Sequence, residues 1–210
     1  MLGYKIYINY LLWRVGLRDV LPAAIVNRVR VADNGEKLKK IQNTELRSGV
    51  CERLRAAQSK LPNGIRIKIL SGFRPLSEQQ KIWDEKIAEL RHLYPNAGEE
   101  ELKRTARLRV ADPANGGGGH QTGGAVDLTL CDSHGHELDM GGKYLNFDDA
   151  TPTKAVKNKN RRMLVCAMKE AGFTNYPREW WHFSYGDKMW AAYSRKKNAV
   201  YDTIRTMRGA

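Results

Sequence analysis

Residues 115–130 read NGGGGHQTGGAVDLTL. Gly116, Gly117, Gly118, Gly119 and Gly123 surround one histidine, His120, and Ala125 to Leu130 is a β-favouring run carrying a single acid, Asp127. Glycine loses more backbone freedom on folding than any other residue. Such a run is therefore either a slack linker or a place where backbone comes very close to something, and the strand that follows at once favours the second. A carboxylate inside a strand of this kind needs a partner if it is buried. A metal ion shared with His120 supplies one.

An odd spacing separates His120 from Asp127, and in a straight strand that puts two side chains on opposite faces. The glycines let His120 fold back over the strand, so that both can face one ion. His182, in the aromatic-rich segment Pro177–Tyr185, can close the set from a second strand. Histidine and aspartate are ordinary zinc donors, and three protein ligands with a fourth position left for water is the catalytic pattern. Glu179 lies three residues before His182. A regular strand would aim the two apart, so Glu179 requires a bulge or a place at the turn after Pro177. There it can take a proton from water, because zinc lowers the pKa of that water towards ~7, and return it to a leaving amine. Arg74 leaves a strand end between Gly72 and Pro75 and is the candidate cation for the oxyanion.

Taken singly, each of these residues has a plainer reading: a turn histidine, a salt-bridged aspartate, a solvated Glu–His pair, a turn arginine. Their combination points to zinc. His134 and His136 flank a turn glycine and read as exposed loop residues. No Gly-Lys-Ser/Thr follows the glycine run and no G-x-G-x-x-G fits it, so it is not a phosphate loop.

The 210 residues suit one domain with a sizeable core, and 41% hydrophobic residues argue for a folded globule. The net charge of +13 favours anionic surroundings, but no nucleic-acid-binding signature accompanies it. Cys51, Cys131 and Cys166 are too far apart for a disulfide framework and read as small buried hydrophobes. No apolar run approaches the ~20 residues needed to span a bilayer, so no stable membrane insertion is expected. Residues 6–13, IYINYLLW, make a poor signal peptide. The expected setting is reduced and cytoplasmic, with a periplasmic or exported form as the alternative.

Along the chain, Arg28–Val31 alternates like an edge strand and Asp33-Asn34-Gly35 makes a turn. Residues 45–60 have the spacing of a helix, and Ile65–Ile69 alternates as a half-buried strand. Ser77 reads as the cap of a second helix, with Gln80 completing a capping box, and 98–110 as a third. Asp132–Gly135 is a hairpin turn, 143–159 a surface loop, 160–171 a helix ending at Gly172, and the tail from Lys188 is basic and partly helical. The expected architecture is a single α+β domain with a small, mostly antiparallel sheet flanked by helices. Residues 1–45 are an N-terminal extension packed on or leading into it, and 46–210 form the catalytic domain.

His120-Gln-Thr-Gly123-Gly-Ala125-Val-Asp127 resembles the His-x-x-Gly-x-Ala-x-Asp signature of the zinc D-alanyl-D-alanine dipeptidases, a branch of the zinc D,D-peptidases of hedgehog-like fold. The resemblance continues in Gly72–Pro75, Leu138–Gly141, Gly172–Pro177, Glu179–Phe183 and Tyr185–Asp187, in order, over roughly residues 46–192. It implies one Zn2+ per chain on His120, Asp127 and His182, Glu179 as general base, and Arg74 as transition-state stabiliser. Phe147-Asp148 resembles the end of the family's Met-Gly-x-x-Phe-Asp segment, although extra residues follow Met140-Gly141, and so implies Asp148 as a substrate-binding residue. Gly118 stands where the family usually has serine, and Ser71 where it often has an acid. The resemblance implies hydrolysis of a small dipeptide, D-alanyl-D-alanine or a close relative. The rivals are a peptidoglycan carboxypeptidase or endopeptidase on the same fold, and a non-catalytic zinc-stabilised binding module.

Overall fold

A computed structural model describes residues 20–205. The apolar stretch at 6–13 and residues 206–210 of the tail lie outside the described residues. A short helix α1 (Ala23–Val26) and strand β1 (Arg30–Val31) lead to a hairpin, β2 (Leu38–Ile41) with β3 (Thr44–Arg47), and to helix α2 (Ser48–Gln58). Strand β4 (Arg66–Ser71) is followed by α3 (Leu76–Leu93) and α4 (Glu99–Ala106). Two 3-10 turns, Pro113–Asn115 and Gly119–Thr122, carry the glycine run into β5 (Ala125–Cys131). Helix α5 (Lys159–Glu170), β6 (Thr174–Asn175), β7 (His182–Ser184), α6 (Lys188–Tyr193) and β8 (Asn198–Ala199) follow.

β4, β5, β7 and β6 lie side by side in that order, every pairing antiparallel, while β1 and β8 form a separate parallel pair. β5 is buried along its whole length. Its Val126, Leu128 and Leu130 join Val50, Leu54 and Ala57 of α2 and Leu164, Ala167 and Met168 of α5 in the main core. The two-residue period of a strand turns Asp127 and Thr129 to the other face. α3 and α4 close a smaller core of their own around Trp83, Leu90, Leu102 and Ala106. This is the expected α+β domain with a small, mostly antiparallel sheet. No helix among the described residues is long and apolar enough to cross a membrane.

Several local expectations change. Residues 45–47 belong to β3 and the helix begins at Ser48. The hairpin turns at Gln42, whose positive φ of 49° gives no glycine signal. Helix α3 starts at Leu76 after Pro75, with no side-chain cap, and Ser77 lies inside it. Its partner in the expected box, Gln80, instead reaches Asp84 one turn on. The aromatic strand shrinks to His182–Ser184, because Pro177 cannot donate a ladder hydrogen bond and residues 176–182 form turns. Cys51 and Cys131 are buried, but Cys166 is exposed.

The glycine run does bring backbone close to something, namely the protein's own side chains. Gly123 has a φ of +70°, and its carbonyl accepts from the Arg47 amide at 3.0 Å. A Cβ on Gly119 would collide with the Asp187 carboxylate and with Ala125. Behind this turn, the buried Arg47 gives its Nε proton to the Thr122 carbonyl at 2.7 Å and another to the Asp202 carbonyl at 3.1 Å. Glu36 accepts from the Gly49 amide at 2.7 Å, from Ser48 Oγ and from Tyr201 Oη, and so serves as a remote anionic cap for α2. Burial opposes ionisation of Glu36, but these hydrogen bonds outweigh it and hold its carboxyl below the usual range.

Candidate active site

The sheet register assembles the centre. Asp127 of β5 pairs directly with His182 of β7 across an antiparallel ladder, which puts both on one face. The 3-10 turn folds His120 over the same face. His182 Nδ1 lies 3.0 Å and His120 Nε2 3.3 Å from the same oxygen, Asp127 Oδ1, and a ligand atom from each of the three residues lies within 4.8 Å of the others. Zinc bonds of about 2.0–2.1 Å in a tetrahedron separate ligand atoms by about 3.3 Å. The donor set fits that ion.

The far nitrogens fix the tautomers. His120 Nδ1 gives its proton to the Gly72 carbonyl at 2.7 Å. Ser184 Oγ gives its proton to Asp187 Oδ2 at 2.7 Å and so can only accept from His182 Nε2 at 3.4 Å. Both neutral imidazoles therefore turn a lone pair toward Asp127, the outer-partner arrangement that orients histidine ligands. In the metal-free protein a proton must stand between them. Burial works against the charged forms, but Asp127 raises the pKa of His182, and the two imidazoles hold the Asp127 carboxyl well below the usual range. A divalent ion would take the place of that proton.

Glu179 occupies the turn after Pro177, the second of the two possibilities its spacing allowed. Its amide donates to the Tyr176 carbonyl at 3.0 Å and its carbonyl accepts from His182 at 3.3 Å, so both side chains emerge on one side. Glu179 Oε2 lies 4.0 Å from His182 Nδ1, and among the described residues the carboxylate accepts no hydrogen bond. Burial pushes its carboxyl up, and the Asp127 charge adds to that.

Arg74 leaves β4 beside the centre, its amide bonded to the His120 carbonyl at 3.2 Å. Its guanidinium gives one proton to Gln79 Oε1 at 3.1 Å. That same oxygen accepts from Gln121 Nε2 at 3.1 Å, and Gln121 Oε1 accepts from the Gly118 amide at 2.6 Å. The arginine and the glycine turn thus share one buried amide network. Sequence reading missed Gln79 and Gln121. The signal for Gln79 was its place in the stripe of Trp83 and Leu90, where a polar residue must find partners. It also missed Ser184 and Asp187, and Tyr144, whose hydroxyl donates to Asp127 Oδ2 at 3.0 Å.

The structure does not bring Asp148 into this group. It is exposed, and its carboxylate accepts from the Ala150 amide at 2.9 Å and from Asn146 within its own loop. His134 and His136 are exposed at the Asp132 turn, as expected.

The peptidase M15 family model, described as D-Ala-D-Ala dipeptidase, matches residues 25–202. The chain belongs to the D-Ala-D-Ala dipeptidase family. It is 31% identical over 176 residues to a D-alanyl-D-alanine dipeptidase of Synechocystis sp., covering 70% of this chain and 71% of that protein. It is 30% identical over 149 residues to one of Streptomyces coelicolor, covering 64% and 70%. A solved structure of a mutant vancomycin-resistance D,D-pentapeptidase VanY in complex with Zn(II) resembles it with a TM-score of 0.49 and 23% identity, over 79% of this chain and 86% of that one. The D-Ala-D-Ala dipeptidase family is one of zinc metallopeptidases, and the donor set of His120, Asp127 and His182 suits that metal.

Proposed function

We propose that this protein hydrolyses D-alanyl-D-alanine, or a closely related D-amino-acid dipeptide, with zinc held by His120, Asp127 and His182. The observation that carries the reading is three donor atoms converging beside an unbonded, largely buried carboxylate, in a chain of the D-Ala-D-Ala dipeptidase family. When bound, zinc supplies a charge that acidifies water near neutral pH and polarises a carbonyl. Glu179 is free to take the proton of the attacking water and then to deliver it to the leaving amine. Gly72, Ser184 and Asp187 hold the two imidazoles in the tautomers that binding requires.

Arg74, fixed through Gln79, meets the charge that develops on the carbonyl oxygen. Arg74→Ala is expected to lower kcat by about 10²–10³-fold with zinc content unchanged, as elemental analysis beside steady-state kinetics would show. The loop after Met140 reaches the centre through the Tyr144 hydroxyl on Asp127, with Tyr144 and Phe147 edge-on to the buried Trp181, and a loop held this close favours short substrates. D-alanyl-D-alanine, L-alanyl-L-alanine and intact peptidoglycan, offered in parallel, test the assignment. Turnover of the D,D dipeptide alone is expected. Turnover of peptidoglycan in its place would move the protein to the wall-cutting peptidases, and zinc binding without any turnover would make it a binding module.

A further inference from the structure

We infer that Tyr144 is a positioning residue that holds Asp127 to a single metal-facing oxygen. This rests on the proposed function. The two oxygens of Asp127 have separate surroundings. Oδ1 faces both imidazoles, at 3.0 and 3.3 Å. Oδ2 accepts the Tyr144 hydroxyl at 3.0 Å, its one hydrogen-bond partner among the described residues. A carboxylate with both oxygens free can close on an ion with both, which raises the coordination number and takes up space that water and substrate need. With Oδ2 tied back, Asp127 contributes Oδ1 alone and the open positions stay open.

The hydroxyl is held from behind. The Tyr144 ring packs edge-on to Trp181 with centroids 5.4 Å apart, and Trp181 is buried and adjoins His182 in the chain. The loop that carries Tyr144 is itself pinned by the buried Arg161, which donates to the carbonyls of Met140 at 2.9 Å, Ala150 at 3.0 Å and Pro152 at 2.9 Å. Asp127, Tyr144 and the loop that carries Tyr144 therefore form one connected unit, in which the loop's position is felt at the partner oxygen of the ligand carboxylate.

Tyr144→Phe removes the hydroxyl and keeps the ring on Trp181. Three quantities separate the roles: the zinc dissociation constant by competition with a chromophoric chelator, the visible spectrum of the cobalt-substituted protein, and the melting temperature of the metal-free protein. The variant is expected to bind zinc about 10–100-fold more weakly. Its cobalt bands should lose intensity as the carboxylate closes on the ion and coordination rises, and its metal-free melting temperature should fall only by the cost of one lost hydrogen bond to Oδ2. Zinc affinity and a cobalt spectrum equal to those of the wild type would overturn the role of Tyr144 alone. So would a lowered metal-free melting temperature with zinc affinity kept, since the hydroxyl would then be structural. A wild type that binds no zinc would overturn the proposed function, and this role with it.

Discussion

Glu179→Gln is expected to lower kcat for D-alanyl-D-alanine by about 10²–10⁴-fold, with one zinc still bound per chain. Glutamine keeps the shape and the place of the side chain but cannot accept a proton at neutral pH. The carboxylate is suited to that transfer because nothing else uses it. It makes no hydrogen bond among the described residues and stands 4.0 Å from a ligand nitrogen, close to the ion yet outside its donor set. The turn that carries it is held at its backbone carbonyls, with the Asn175 side chain donating from Nδ2 to Glu179 at 3.1 Å and His182 at 3.0 Å, so the substitution has no reason to move the peptide. Steady-state kinetics beside zinc analysis check it. A variant with wild-type turnover would place the base elsewhere, and one that lost its metal would make Glu179 a ligand.

Asp127→Ala is expected to have a comparable effect by another route, with zinc lost on dialysis and turnover falling below detection. Asp127 Oδ1 is the atom that both imidazoles face, so without it two nitrogens remain with no anion between them. Removing an outer partner of a ligand costs about 10–100-fold in metal affinity, and removing the central ligand should exceed that. The substitution also leaves the Tyr144 hydroxyl without its acceptor, at a cost of about 1–3 kcal/mol if it stays buried. Fold and function separate in circular dichroism: the sheet should persist, because Val126, Leu128 and Leu130, on the opposite face of β5, hold the core. Zinc retained at one per chain in Asp127→Ala would remove Asp127 from the donor set.

The centre was legible where the chemistry is local. The glycines before β5 marked a turn of close backbone approach carrying His120, and the β-favouring run of residues 125–130 marked the strand that buries Asp127. The pairing of Asp127 with His182 was not local. It depends on the register of two strands 55 positions apart, and residue types supplied candidates for it, not contacts. Glu179 shows the boundary well. Spacing demanded a bulge or a turn, and only the fold chose the turn.

What was missed has a common physical cause. Tyr144 reaches Asp127 from 17 positions away, and Gln79 reaches Gln121 across 42. No periodicity marks such contacts in advance, although a polar side chain in the apolar stripe of α3 was a visible flag. The β2–β3 hairpin escaped because Gln42 adopts a positive φ without being glycine, asparagine or aspartate. The resemblance covers residues 46–192, yet Glu36 braces α2 from outside that span, and the family match begins at residue 25.

The most direct test of the central claim is D-alanine release from D-alanyl-D-alanine by one preparation in three states: as purified, stripped of metal, and restored with one equivalent of zinc. Release is expected, with its loss on stripping and its return with zinc. Undiminished release by the stripped protein, or none after one zinc has rebound, would contradict it.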